Sequence, residues 1–88
     1  MYSEDVTIEN ELGLHARPAA LFTRTATRFK SEVFVTKDGQ QINGKSILGV
    51  MMLAAYQGTV LNIQAEGEDE REAVAALVEL VKSKFGER

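Results

Sequence analysis

The chain has no cysteine, a single proline and a single histidine in 88 residues. Without cysteine there is no disulfide framework, and one histidine cannot make a structural zinc ligand set, so stability must come from packing alone. No metal and no cofactor are expected. No apolar run approaches the length that spans a bilayer, and Met1-Tyr2-Ser3-Glu4-Asp5 lacks the basic start and apolar stretch of a secretory signal. These absences lead to the expectation of a cytoplasmic protein without membrane insertion. A chain this short buries roughly 60 to 65 per cent of its unfolded surface, which supports one core, a single domain over residues 1–88 and no deep catalytic cavity.

Charge is unevenly laid out. The formal net charge is −3, yet no Asp or Glu occurs between Glu11 and Glu32, where Arg17, Arg24, Arg28 and Lys30 lie. Glu66, Glu68, Asp69, Glu70 and Glu72 supply compensating acid elsewhere. Overall acidity argues against direct nucleic-acid binding, whereas a basic face on an acidic domain suits an acidic protein partner.

The one proline and the one histidine fall together, in Gly13-Leu14-His15-Ala16-Arg17-Pro18-Ala19-Ala20. Proline is tolerated in the first turn of a helix, where its missing N–H would have had no partner. Pro18 therefore places a helix start beside His15, leaving the backbone amides of Ala16 and Arg17 free at an end that carries partial positive charge. Gly13 permits close backbone approach, and the Arg17 guanidinium can take phosphate oxygens bidentately. Such a site suits phosphate, with the imidazole as acceptor of a phosphoryl group. The bland alternative for a lone histidine is a satisfied core or surface side chain.

Val6 and Ile8 alternate with polar residues over Asp5 to Glu9 and predict a first strand. Ala19, Phe22, Ala26 and Phe29 recur at helical spacing and define helix one. Glu32 to Lys37 is rich in β-branched and aromatic residues, Asp38-Gly39 predicts a tight hairpin turn, and a short strand through Gln41 and Ile42 should return beside it. Ser46 is placed to cap a helix over Ile47 to Ala55 that Gln57-Gly58 ends. Val60 to Glu66 forms the last strand, and Asp69 with Glu72 resembles a capping pair for a third helix that carries Ala73, Leu77, Leu80, Val81 and Phe85. The order βαββαβα predicts an α+β open-faced sandwich, a four-stranded antiparallel sheet with three helices on one face. Phe34 would then lie opposite Val33 and Val35, off the buried face. In helix two, Val50 and Leu53 are expected to be buried, while some of Ile47, Leu48 and Met51 form a small adaptable apolar patch near His15.

The Gly13–Ala19 segment, followed about thirty residues later by Gly44-Lys45-Ser46-Ile47-Leu48-Gly49-Val50-Met51, resembles the HPr family, the histidine-containing phosphocarriers of the phosphoenolpyruvate-dependent sugar phosphotransferase system. The resemblance spans essentially the whole chain. It implies that His15 accepts a phosphoryl group through Nδ1 from phosphorylated enzyme I and donates it to IIA domains of sugar transporters. It implies further that Arg17 contacts phosphate and partner, that Ser46 is a site for a dedicated HPr kinase/phosphorylase in some bacteria, and that Ala20, Leu21, Arg24, Ile47, Leu48 and Met51 dock successive partners. A transcriptional regulator is a further implied partner, and a monomer is expected. Such a protein is a phosphorylated intermediate rather than a free-standing catalyst. Leu12 departs from relatives that carry a polar residue there. Two other classes compete: a hydrolase using Ser46, His15 and an Asp, for which the chain offers little material to build a closed pocket, and a regulatory HPr-like binding module not dedicated to sugar transport, in a nitrogen-linked branch or as a transcriptional co-regulator, in which His15 is an anion contact only or is never phosphorylated.

Overall fold

A computed structural model describes all 88 residues. The elements follow as β1 (Tyr2–Thr7), α1 (Ala16–Thr27), β2 (Glu32–Lys37), β3 (Gln40–Asn43), α2 (Ile47–Met52), β4 (Val60–Glu66), α3 (Glu70–Lys82) and a 3₁₀ turn over Lys84–Gly86. The four strands form one antiparallel sheet in the order β1-β4-β2-β3. Period-two alternation sorts them cleanly: Val6, Val33, Val35, Leu61, Ile63 and Ala65 are buried beneath the helices. From α1, Ala19, Phe22 and Ala26 meet that face, and from α3, Ala73, Val74, Leu77, Val78 and Val81. Each such large side chain contributes about 1.5–3 kcal/mol by leaving water. The other face is open, as expected: Asn62 Nδ2 donates to Asp5 Oδ1 at 2.8 Å. Phe34 sits on that side, half-buried between its register partners Asn43 and Gln64.

Four local expectations are corrected. Strand β1 begins at Tyr2 and ends at Thr7, rather than running from Asp5 to Glu9, because it pairs with β4 from Tyr2↔Ala65 to Thr7↔Val60 and can leave Ser3 and Asp5 in solvent. Helix α2 stops at Met52 rather than Ala55. Ala54 turns at φ 50, and the Lys37 ammonium donates to the carbonyls of Leu53 (3.0 Å) and Ala54 (3.2 Å), a cation at the negative end of the helix. Helix α3 ends at Lys82; Lys84 and Phe85 reverse the chain at φ 60 and 56, and Phe85 is buried from that turn instead of from the helix. Helical spacing cannot distinguish these two ways of burying one ring.

The fourth correction concerns Asp69, whose carboxylate does not cap α3. It accepts from the backbone amides of Lys30 and Ser31 and from the Ser31 hydroxyl, tying the α1–β2 turn to the start of α3, while Glu70 takes the Gly67 amide. Those donors, the Ser31 hydroxyl foremost, hold the Asp69 carboxyl down to about 2 from 3.8. A depressed carboxyl stabilises the fold above its unfolded value, and that contribution disappears as pH falls through the folded value. Circular-dichroism melts should therefore show the parent Tm falling between pH 4 and pH 2. Asp69→Asn should start lower at pH 5 and lose less over the same interval.

Candidate functional site

The loop before α1 is clamped from two sides. Gly13 has φ 68, and a Cβ there would lie 2.4 Å from the Ala55 carbonyl oxygen and 2.9 Å from Tyr56 Cα. The Leu14 amide donates to that Ala55 oxygen at 2.9 Å, the Gly13 amide to Asn10 O at 3.2 Å, and the Asn10 side-chain amide to Gly13 O at 2.8 Å. The early end of α2 thus has a use: the chain turns at Leu53 and Ala54 and offers the Ala55 carbonyl to the loop. His15 follows as the N-cap residue of α1, with extended backbone (φ −80, ψ −172) and no side-chain cap bond. Its carbonyl accepts from Ala19 at 3.0 Å, which opens the helix, and Pro18 is buried in the first turn. The amides of Ala16 and Arg17 precede the first intrahelical donor and point out of the helix end. The bias of a pre-proline residue against helical angles does not delay the start, which falls at Ala16.

The imidazole is half-exposed, at 36 % of its side-chain surface. Its Nε2 lies 2.8 Å from Glu87 Oε1, while Nδ1 has no hydrogen-bond partner within the protein. Glu87 also accepts from Asn10 Nδ2 at 3.0 Å. The bond from His15 is the chief cause that lowers the Glu87 carboxyl below its usual range, with Asn10 assisting and the charge of nearby Arg17 adding to it against partial desolvation. Arg17 is exposed and lies close enough to share the field of this pair.

Around this centre α1 packs on α2. Ala20, Thr23, Arg24 and Thr27 of α1, with Lys45 and Ile47, line a shallow groove. Ile47, Leu48 and Met51 are all exposed, Leu48 and Met52 at 71 %, while Val50 and Leu53 are buried as their spacing implies. Leu21 is half-buried against the core. Leu12 and Tyr56 add further exposed apolar surface beside the loop. Ser46 caps α2, its Oγ accepting from the Gly49 amide at 3.1 Å. The start of α2 thus lies along the later turns of α1, where Lys45 Nζ donates to Phe29 O at 2.8 Å, while the chain after α2 reaches the His15 loop through Ala55. Sequence reasoning missed Asn10 and Glu87. Glu87 is 72 positions from His15 in a polar tail, and nothing local marks it; Asn10 carries no motif signal beyond its nearness to Gly13.

A family model described as "PTS HPr component phosphorylation site" matches residues 2–83. The chain belongs to the HPr family. The phosphocarrier protein HPr of Neisseria meningitidis is 53 % identical over 87 residues, 99 % of this chain and 98 % of that protein. The HPr-like protein Crh of Bacillus subtilis is 48 % identical over 82 residues, covering 93 % of this chain and 96 % of Crh. Among solved structures, HPr-C-His from Thermoanaerobacter tengcongensis superposes with a TM-score of 0.96 at 52 % identity, covering 100 % of this chain and 99 % of that one. Both HPr motifs of this sequence, at Gly13–Ala19 and Gly44–Met51, fall inside the matched span. The open-faced sandwich of the HPr fold and membership of the phosphotransferase-system phosphocarriers follow. No helix is long and apolar enough to cross a membrane.

Proposed function

We propose that residues 1–88 act as one cytoplasmic, monomeric phosphocarrier domain that accepts a phosphoryl group on His15 from phosphorylated enzyme I and passes it to IIA domains of sugar transporters. The observation that carries this reading is the half-exposed imidazole at the uncapped start of α1, with Nδ1 free and Nε2 occupied by Glu87. Phosphoryl transfer needs in-line placement and stabilisation of charge on the equatorial oxygens more than covalent help. The Nδ1 lone pair attacks phosphorus as the bond to the donor breaks and its electron pair returns to the donor. The Ala16 and Arg17 amides and the Arg17 guanidinium take the oxygens. A shallow site suits a carrier, because holding phosphate far more tightly than its partners do would slow release.

The docking surface in this reading is Ala20, Leu21, Arg24, Ile47, Leu48 and Met51, apolar with a basic margin, suited to small and short-lived interfaces with acidic partners. Phosphorus NMR after incubation with phosphoenolpyruvate and enzyme I tests the proposal. An acid-labile phosphoramidate signal is expected, and its absence, or a label found by mass spectrometry away from His15, would end it. The similarity to Crh favours a second reading, a regulatory HPr-like module; silence in the same experiment would support that module.

Regulation at Ser46 by an HPr kinase/phosphorylase, with a transcriptional regulator as recipient of the modified protein, is part of the same proposal. The hydroxyl already accepts from Gly49, so a carboxylate can keep the cap while adding negative charge beside exposed Ile47 and Leu48. Ser46→Asp should leave Tm within a few degrees and slow His15 phosphorylation by about tenfold, through repulsion of an acidic partner. Equal rates in the two proteins, measured with enzyme I, would refute the regulatory role.

A further inference from the structure

The segment after α3 is held against the loop before α1 by several independent contacts. The Glu11 amide donates to Arg88 O at 2.7 Å and Asn10 Nδ2 to Glu87 Oε1 at 3.0 Å, while the Glu87 amide closes the tail's own turn on Lys84 O at 2.9 Å. Phe85 is buried beneath, and Asn10 is fully buried with its Oδ1 unpartnered, so its amide has one productive orientation, toward Gly13 O and Glu87. The Glu87 side chain is only 17 % exposed, less than the ring it meets. An exposed ion pair between two free side chains contributes little, but this carboxylate is placed by the backbone and by Asn10 before the imidazole reaches it. Residues 84–88 also lie outside the span that the family model matches.

We propose that Glu87 is a positioning residue for His15: its carboxylate takes the hydrogen on Nε2, so that the lone pair stands on Nδ1, and it faces the positive charge the ring gains on phosphorylation. The inference rests on His15 being the acceptor. When the Nδ1 lone pair forms the N–P bond and the donor keeps the electrons of the bond that breaks, Nε2 retains its hydrogen, and the ring acquires one formal positive charge. A carboxylate 2.8 Å from Nε2 is stronger against that cation than against the neutral ring. Selection of the tautomer follows from the bond at the other nitrogen, as for any histidine held by a carboxylate.

The test uses the full chain with ¹⁵N-labelled histidine and long-range ¹H–¹⁵N correlation in alkaline solution, followed by single-turnover phosphorylation with enzyme I. In the parent the Nε2–H form should dominate. Glu87→Ala should raise the Nδ1–H population and slow transfer about fivefold to tenfold, with little change in KM for enzyme I. Glu87→Gln, whose Oε1 accepts the same hydrogen without charge, should restore the parent tautomer while transfer stays slower than in the parent. A Glu87→Ala tautomer distribution equal to the parent's, in a protein that melts as the parent does, overturns the proposal whatever the rate. Full recovery of rate by Glu87→Gln overturns its electrostatic half. A tautomer shift in a protein whose His15 never takes up phosphorus overturns the carrier reading and leaves the orientation by Glu87 standing.

Discussion

His15→Ala is expected to lose phosphoryl uptake by about 10³-fold or more, measured as label transferred from phosphoenolpyruvate through enzyme I. The size follows from the lack of a substitute. The chain holds no other imidazole and no thiol. The hydroxyl that the family resemblance singles out, Ser46 Oγ, accepts from Gly49 and has no base in its hydrogen-bond set. An unactivated alcohol is a poor nucleophile at neutral pH. Arg17→Glu should behave differently, because it removes charge stabilisation while leaving the acceptor in place. A loss of roughly 10-fold to 100-fold is expected, comparable to or below that of one oxyanion donor. Uptake by His15→Ala at the parent rate would remove the basis for the carrier assignment. An Arg17→Glu protein as inactive as His15→Ala would shift the chemistry from the imidazole toward the guanidinium.

Gly13→Ala should lower Tm by about 15 °C. Its φ of 68 lies in the left-handed region, which costs an L-residue roughly 1–2 kcal/mol. The added methyl would also fall 2.4 Å from the Ala55 oxygen that receives the Leu14 amide, so backbone has to move and that bond is strained. A combined cost of about 3 kcal/mol, at roughly 5 °C per kcal/mol for a domain of this size, gives the figure. Gly39→Ala supplies the control. Its φ is 81, with nothing within 4 Å of the place a methyl would take, so conformational strain alone applies and a fall of about 5 °C is expected. Equal falls in the two variants would mean that the close approach at Ala55 carries no energy. Since Gly13 sets the backbone two residues before the imidazole, the same variant should also slow His15 phosphorylation.

The elements that were legible are those whose signal is local. Pro18 marks the start of α1, Ser46 caps α2, Asp38-Gly39 turns at φ 49 and 81 between β2 and β3, and alternation in β4 separates its two faces. His15, Arg17 and the Ala16 amide belong to one such stretch, so the core of the candidate site is local in sequence as well. What escaped depends on contacts between distant segments. Asp69 looks like a cap in sequence because the residue that competes for it, Ser31, is 38 positions away. Ala54 and Phe85 adopt positive φ against their own preference because Lys37 and the core on the far side accept the result. Glu87 is the extreme case, a polar residue in a polar tail whose role is set wholly by Asn10 and by the path of the chain after α3.

That path has a practical result for anyone who extends the polypeptide. Whatever is joined after Arg88 begins one residue from the carboxylate on Nε2 and at the carbonyl that holds the Glu11 amide. A purification tag or fused reporter attached there pulls on the contacts around His15. The same addition ahead of Tyr2 enters through the edge strand of the sheet and leaves those two bonds untouched.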